Sequence, residues 1–208
     1  MRPPLCLVPV LGRGSLASAV LHAGPLYATS VAVARQVGRV VVVQDAVQKH
    51  VDAVPLDGAT WLCLPDQDRL FRRLLREHDV VVVLDPLCPL VSVDVVRRVM
   101  AAARPSAMAV RPVVDTLKAT DGPRIVATVD RNHLAVVTSP VVVPATVLAG
   151  AADLAKLLSD PVSLAGWLRE QSTVTQVPVP SATRRVEDSS ALELLRAIDA
   201  VGHRLHER

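Results

Sequence analysis

The chain has 208 residues, 50% of them apolar, with only 2% aromatic residues and a formal net charge of +3. That length fits a single domain, 1–208, with a sizeable core built from Val, Leu and Ala. The small, dispersed positive charge and the lack of stacking groups argue against a nucleic-acid surface.

Leu5–Val10 reads as a first buried strand ending in the loop Leu11-Gly-Arg-Gly-Ser15. Arg2, the apolar run Leu5–Leu11 and small residues near Ala17 have the outline of a signal peptide. Pro9 inside that run and Arg13 after it weaken the outline, and secretion is not expected. A helix is expected around Val31–Val37, stopped by Gly38, and Arg39–Gln44 follows as the second strand. Asp66 or Asp68 is a suitable cap for a helix running to about Glu77, with Leu70, Phe71, Leu74 and Leu75 on its apolar face. Arg69, Arg72, Arg73 and Arg76 line its other side, ordinarily a solvated face. His78-Asp79 leads into the strand Val80–Leu84, which ends at Asp85-Pro86. The continuous runs Val40–Val43 and Val80–Val83 are what parallel strands covered on both faces require.

Ser92 is placed to cap a helix over Val93–Ala103, with Asp94 near its positive end. Met108–Val114 resumes a strand, and Asp121-Gly122-Pro123 is turn chemistry between two extended runs, so Val113–Thr128 reads as a hairpin arm. The longest uncharged stretch, Leu134–Ala152, is broken by Pro140 and Pro144 and dotted with hydroxyls. It reads as strand, turn and helix, and no membrane partner is expected. Ala151–Glu170 has helical periodicity interrupted near Asp160-Pro161. Val174–Val179 is a late strand, and Ala191–His206 is a closing helix with Leu192, Leu195, Ile198 and Leu205 in register. Strands alternating with helices predict an α/β, doubly wound, mostly parallel Rossmann-like sheet, with ligands at the carboxyl ends of its strands.

Several clusters at those ends are suited to charged ligands. Gly12 and Gly14 would let backbone N–H groups approach a phosphate, although two glycines after a strand often make only a tight turn. Asp85 could hold Mg²⁺ or a sugar hydroxyl, or simply close a turn. Thr116, Lys118, Thr128 and Arg131 supply hydroxyls and cations for a phosphate dianion, or a salt-bridged surface. Arg184 and Arg185 could clamp phosphates or coat the surface. His22, His50, His78 and His133 show no metal-ligand spacing. Cys6, Cys63 and Cys88 form no C-x-x-C pair, and their odd number leaves no complete disulfide framework. They are expected to be reduced, mostly buried thiols in a cytoplasmic protein.

Taken in order, these pieces resemble the 2-C-methyl-D-erythritol 4-phosphate cytidylyltransferase family over nearly the whole chain. Pro9-Val-Leu-Gly-Arg-Gly14 lies where that family has P-A-A-G-x-G, and Leu84-Asp-Pro-Leu-Cys-Pro-Leu-Val91 answers to H-D-A-A-R-P-L-V. Asp115-Thr-Leu-Lys118, Thr128-Val-Asp-Arg131 and Thr138-Ser-Pro140 answer to D-T-I-K, T-x-D-R and T-P-Q. Ser159-Asp160 lies near T-D-[DE]-A-S, and Arg185-Val-Glu187 near N-I-K-[VI]-T. The arm block is the most specific part.

The resemblance implies a nucleotide-diphospho-sugar transferase type of fold with a protruding β-arm, residues 113–140, as a dimerisation element. It further implies Mg²⁺-dependent transfer of CMP from CTP to a polyol phosphate in isoprenoid-precursor synthesis, with release of pyrophosphate. In that scheme Asp85 is catalytic and faces the substrate or metal, Arg185 stands in for a late catalytic lysine, and Arg13 is the added catalytic candidate that could compensate for Leu16. Thr116, Lys118 and Arg131 bind the phosphorylated substrate, with Thr116 and Arg131 reaching the partner's site in a homodimer. Gly12 and Gly14 lie against the nucleotide.

The departures fall on the phosphate clamp. Leu16 and Leu26 stand where the family has Arg and Lys, and Cys88 where it has another Arg. Nucleotidyl transfer depends on positioned positive charge, and one lost donor costs about 10²–10³ in rate. Three readings follow: a weak or silent cytidylyltransferase-like protein that binds a phosphorylated ligand, an active divergent nucleotidyltransferase, or a non-catalytic structural or interaction protein.

Overall fold

The computed structural model describes residues 2–21, 24–46 and 56–206. His22 and His50 lie outside the described residues. A seven-stranded sheet forms the centre. Its strands are β1 (Leu5–Pro9), β4 (Arg39–Gln44), β5 (Ala59–Cys63), β6 (Val80–Val83), β7 (Ser106–Pro112), β10 (Ala135–Pro144) and β11 (Val174–Pro178). Two short pairs stand apart: β2 (Val20–Leu21) with β3 (Gly24–Pro25), and β8 (Leu117–Asp121) with β9 (Arg124–Val129).

The order across the sheet is β11-β7-β10-β6-β1-β4-β5. Parallel ladders join β1 to β4 and β6, β4 to β5, and β7 to β11, whereas β10 runs antiparallel to both of its neighbours. This is the expected doubly wound, mostly parallel sheet. Alternation along the strands explains the valine runs. Leu5, Leu7, Val41, Val43, Val81 and Val83 belong to one core, whereas Cys6, Val8, Val40, Val42 and Val82 belong to the other. Each run is continuous in sequence because both of its faces are buried.

The first core is covered by α2 (Asp68–Arg76), α4 (Ala145–Ala149), α5 (Leu154–Ser159) and α6 (Pro161–Gln171), and the second by α1 (Leu26–Arg35) and α3 (Val93–Ala102). The closing helix α7 (Ser189–His206) seats Leu192 and Leu195 against Leu21, Leu26, Leu87 and Val186. The side chains of Ile198 and Leu205 lie outside the described residues.

Several expected boundaries move for identifiable reasons. Helix α1 starts five residues earlier than Val31, directly after Pro25, whose extended backbone opens it. Gly38 serves less as a stop than as a gap: a Cβ there would run into the backbone of Pro4. Ser92 caps α3 as expected, its hydroxyl accepting from the Val95 N–H at 3.3 Å. Neither Asp66 nor Asp68 caps α2. Gln67 holds that position, and its side-chain oxygen accepts instead from the Cys63 N–H at 2.8 Å. Leu70 is 51% exposed rather than part of the apolar face, which Phe71, Leu74 and Leu75 make alone.

The break at Asp160-Pro161 separates α5 from α6. The Asp160 carboxylate caps α6 by accepting from the Val162 N–H at 3.2 Å and from the Ser163 N–H and hydroxyl at 2.8 and 2.7 Å. Burial raises its pKa, but these bonds and the nearby Arg13 charge outweigh that and leave it below the ordinary 3.8. A depressed folded-state pKa contributes stability above the unfolded value and loses it as pH falls through the folded one. Asp160→Ala is therefore expected to cost about 0.5–2 kcal/mol at neutral pH. Urea unfolding at a series of pH values should show the gap to the parent chain closing once the pH falls below 3.8.

Candidate functional site

The carboxyl ends of β1 and β6 are adjacent in the sheet and bring the β1 loop and Asp85 together. Arg13, in that loop, is 4% exposed and turned inward. Its Nε donates to Asp85 Oδ1 at 3.0 Å, and its guanidinium also donates to the carbonyls of Leu11 at 3.2 Å and of Ser159. Arg185, ahead of α7, donates from Nε to the other carboxylate oxygen of Asp85 at 2.9 Å. The Leu87 N–H adds a third donor, to Oδ1 at 3.1 Å. Asp85, Arg13 and Arg185 therefore meet as one ionic cluster in which both carboxylate oxygens accept hydrogen bonds.

Such pairing is what a buried carboxylate requires, because an unpaired charge there would be very costly. It also bears on metal binding. Mg²⁺ takes oxygen ligands in octahedral geometry, commonly from one or two carboxylates and substrate phosphates. Asp85 faces two guanidinium groups, and no cluster of three or more His, Cys, Asp or Glu among the described residues could hold a metal ion. Both Asp85 oxygens are bonded to guanidinium groups, so within this chain Asp85 does not fit the part of a ligand for Mg²⁺. The cavity beside the cluster, lined by Arg13, Asp85, Thr138, Ser139 and Leu158, measures about 10 Å³. That is room for roughly one water molecule.

Gly12 and Gly14 both have left-handed backbone, at φ of 70° and 55°. Only Gly14 is open around its Cα. A Cβ on Gly12 would lie 2.6 Å from Ser159 Cβ and 2.8 Å from the Ser159 carbonyl oxygen. The freedom of Gly12 is thus used to seat the loop against the end of α5, rather than to leave space for a ligand at that point.

Residues that the sequence reading had not singled out for this role support the cluster. The Ser139 hydroxyl accepts from the Asp85 N–H at 3.1 Å. The Thr138 hydroxyl donates to the Thr183 carbonyl at 2.6 Å, and the Val186 N–H donates to the Leu87 carbonyl at 2.7 Å. These bonds pin the segment that carries Arg185 against the strand end that carries Asp85. The available signal was a Thr-Ser pair before Pro140 inside a valine strand, where buried hydroxyls must find partners. Cys88, standing where the family has Arg, is 1% exposed and 3.5 Å from the Thr138 hydroxyl. Burial and the neighbouring Asp85 charge push its thiol up to about 12, so it supplies neither cation nor nucleophile at neutral pH. Cys6, Cys63 and Cys88 are all buried.

The arm carries the remaining expected residues. Within one chain they bond locally: Lys118 Nζ donates to the Thr128 hydroxyl at 2.7 Å, and Arg131 to the Val114 carbonyl. Thr116, Lys118 and Arg131 are exposed and are not joined to the Asp85 cluster in the single chain. Val114, Ile125 and Val126 on the same arm are 61–68% exposed.

No family model matches the chain. It is 32% identical over 100 residues to the bifunctional enzyme IspD/IspF of Solidesulfovibrio magneticus, a match covering 47% of this chain and 20% of that enzyme. The chain thus spans about a fifth of the curated relative it matches. Among solved structures, 2-C-methyl-D-erythritol 4-phosphate cytidylyltransferase from Thermus thermophilus superposes with a TM-score of 0.71 at 23% identity, over 96% of this chain and 100% of that one. 4-Diphosphocytidyl-2C-methyl-D-erythritol synthase from Anaerococcus prevotii gives 0.68 at 10% identity, over 95% and 98%. The bifunctional IspDF of Campylobacter jejuni gives 0.66 at 14% identity, over 94% of this chain and 54% of that one. The chain has the fold of these cytidylyltransferases, and the comparisons support the family resemblance read from its sequence. No helix among the described residues is long and apolar enough to cross a membrane.

Proposed function

We propose that this chain is a cytidylyltransferase-like protein that binds a phosphorylated small molecule of the 2-C-methyl-D-erythritol 4-phosphate type and transfers CMP weakly or not at all. One observation carries this reading: both oxygens of Asp85 are taken up by Arg13, Arg185 and the Leu87 N–H. A carboxylate so neutralised is not free to orient a polyol or hold Mg²⁺. The two arginines that could offset Leu16, Leu26 and Cys88 are themselves committed to it. Catalysis of phosphoryl-type transfer rests on positioned cations meeting developing negative charge. Cations already paired with a buried carboxylate supply less of that field.

What remains suited to a phosphorylated ligand is the arm. Lys118 and Arg131 are cations on an exposed hairpin beside the hydroxyls of Thr116 and Thr128, a donor set matched to a phosphate dianion. The exposed apolar side chains Val114, Ile125 and Val126 are consistent with a homodimer in which each arm serves its neighbour and a second copy covers them. A cytoplasmic location belongs to the same reading.

Two measurements test it together. Thermal unfolding with 2-C-methyl-D-erythritol 4-phosphate at 100 times its Kd should show about 2.7 kcal/mol of stabilisation, a rise of several degrees. Arg131→Ala should abolish the rise, and equal stabilisation in that variant would remove the basis of the proposal. Pyrophosphate release from CTP, the same phosphate and Mg²⁺ should stay at background. Turnover lost in a folded Asp85→Asn variant would instead establish an active, divergent nucleotidyltransferase.

A further inference from the structure

Helix α2 presents a second charged surface, away from the Asp85 cluster. Its inner face is closed by Phe71, Leu74 and Leu75. Arg72 is used structurally: its Nε pairs with Asp68 at 2.7 Å, and its terminal nitrogen donates to the Ala149 carbonyl at 2.7 Å. The other three arginines are different. Arg69, Arg73 and Arg76 are exposed and lie at i, i+4 and i+7, one stripe along the outer face. Of the three, only Arg73 has a carboxylate within ion-pair reach among the described residues, Glu77 at 3.8 Å, and the Arg73 side chain is still 81% exposed.

Like charges at this spacing disfavour the helix that carries them, and a merely solvated face is better served by alternating signs. Leu70, 51% exposed, sits beside the stripe. Together with Asp66 and Gln67, these residues line an open groove of about 650 Å³. The stripe runs for about 10 Å along the axis, or two helical turns.

We propose that this face of α2 docks an acidic amphipathic helix of another protein, with carboxylates at helical spacing flanking one apolar side chain. The guanidinium forks match carboxylates in two-point geometry, and the flanking apolar side chain covers Leu70. A nucleic acid would offer phosphates without the apolar contact, and the groove lacks aromatic side chains for stacking. A lipid surface would require a broader apolar face than one leucine on a nine-residue helix.

The test uses the full chain and a labelled, helix-stabilised peptide that repeats Glu at i, i+4 and i+7 around a central Leu, followed by fluorescence anisotropy at low and high salt. Binding should weaken at high salt. It should fall at least tenfold in the triple variant Arg69→Gln, Arg73→Gln, Arg76→Gln, and several-fold in Leu70→Ser, with the unfolding midpoints of both variants unchanged. A peptide with Lys in place of Glu should not bind. No binding of the acidic peptide, or binding that survives the triple variant, would overturn the proposal. So would equal or tighter binding of duplex DNA or of phosphatidylserine vesicles in the same assay.

Discussion

Asp85→Ala is expected to destabilise the chain by about 3–5 kcal/mol, because it leaves Arg13 buried without its counter-charge. The carboxylate and Arg13 are 7% and 2% exposed at their side chains, so water cannot readily replace the lost partner. Arg185, at 26%, can turn outward and will suffer less. Urea unfolding measures the effect as a shifted midpoint with an unchanged slope. A loss below about 1 kcal/mol would mean that the cluster is solvated in solution and contributes as a surface pair does. The double variant Asp85→Leu, Arg13→Met should recover most of the loss, since apolar groups of similar volume often replace a buried ion pair without net cost. The two sites share a hydrogen bond, so their single effects should be strongly non-additive. For this reason Asp85→Asn, rather than alanine, is the catalytic control: loss of fold and loss of chemistry must be kept apart.

The second large effect is expected at Gly12. Alanine there meets Ser159 at 2.6 Å while the backbone sits at a φ of 70°. Overpacking of this kind costs about 1–3 kcal/mol. Left-handed backbone adds roughly 1–2 kcal/mol for a residue with a Cβ. Gly14→Ala isolates the second contribution, because nothing lies within 4 Å of its added Cβ. Thermal unfolding of the two variants should therefore rank Gly12→Ala clearly below Gly14→Ala. Equal melting temperatures would show that the β1 loop is not seated on the end of α5 in solution.

Much of the architecture was legible from residue patterns alone. The valine runs at Val40–Val43 and Val80–Val83 announced strands buried on both faces, and the turn at Asp121-Gly122-Pro123 announced the arm. β5 escaped notice because Ala59–Cys63 mixes Thr and Trp with small residues and sits at the edge of the sheet. Helix α1 was placed late because Leu26–Ser30 carries no capping side chain, its start being fixed by the extended backbone of Pro25. Leu70 was assigned inward on periodicity, but three apolar residues already close the inner face of so short a helix.

At the site, the residue types were readable and their state was not. Asp85 was readable as an acid at a strand end, and the family resemblance added Arg13 and Arg185 to it as a charged set. Those residues are 72 and 100 positions apart in their two pairings, so no local pattern could show that they bond to one another. Nor could spacing reveal that Ser159 approaches Gly12, or that Thr138 and Ser139 brace the segments on either side.

Sequence by itself thus determined the layered α/β fold and the hairpin of the arm. These follow from local polarity, turn chemistry and side-chain identity, which each residue carries wherever it lies. Tertiary structure alone decided that Arg13 and Arg185 both pair with Asp85, and that Arg72 leaves the solvated face of α2 to bond Asp68 and the Ala149 carbonyl. Charge pairing and burial depend on distances between segments far apart in the chain, and only the folded packing sets those distances.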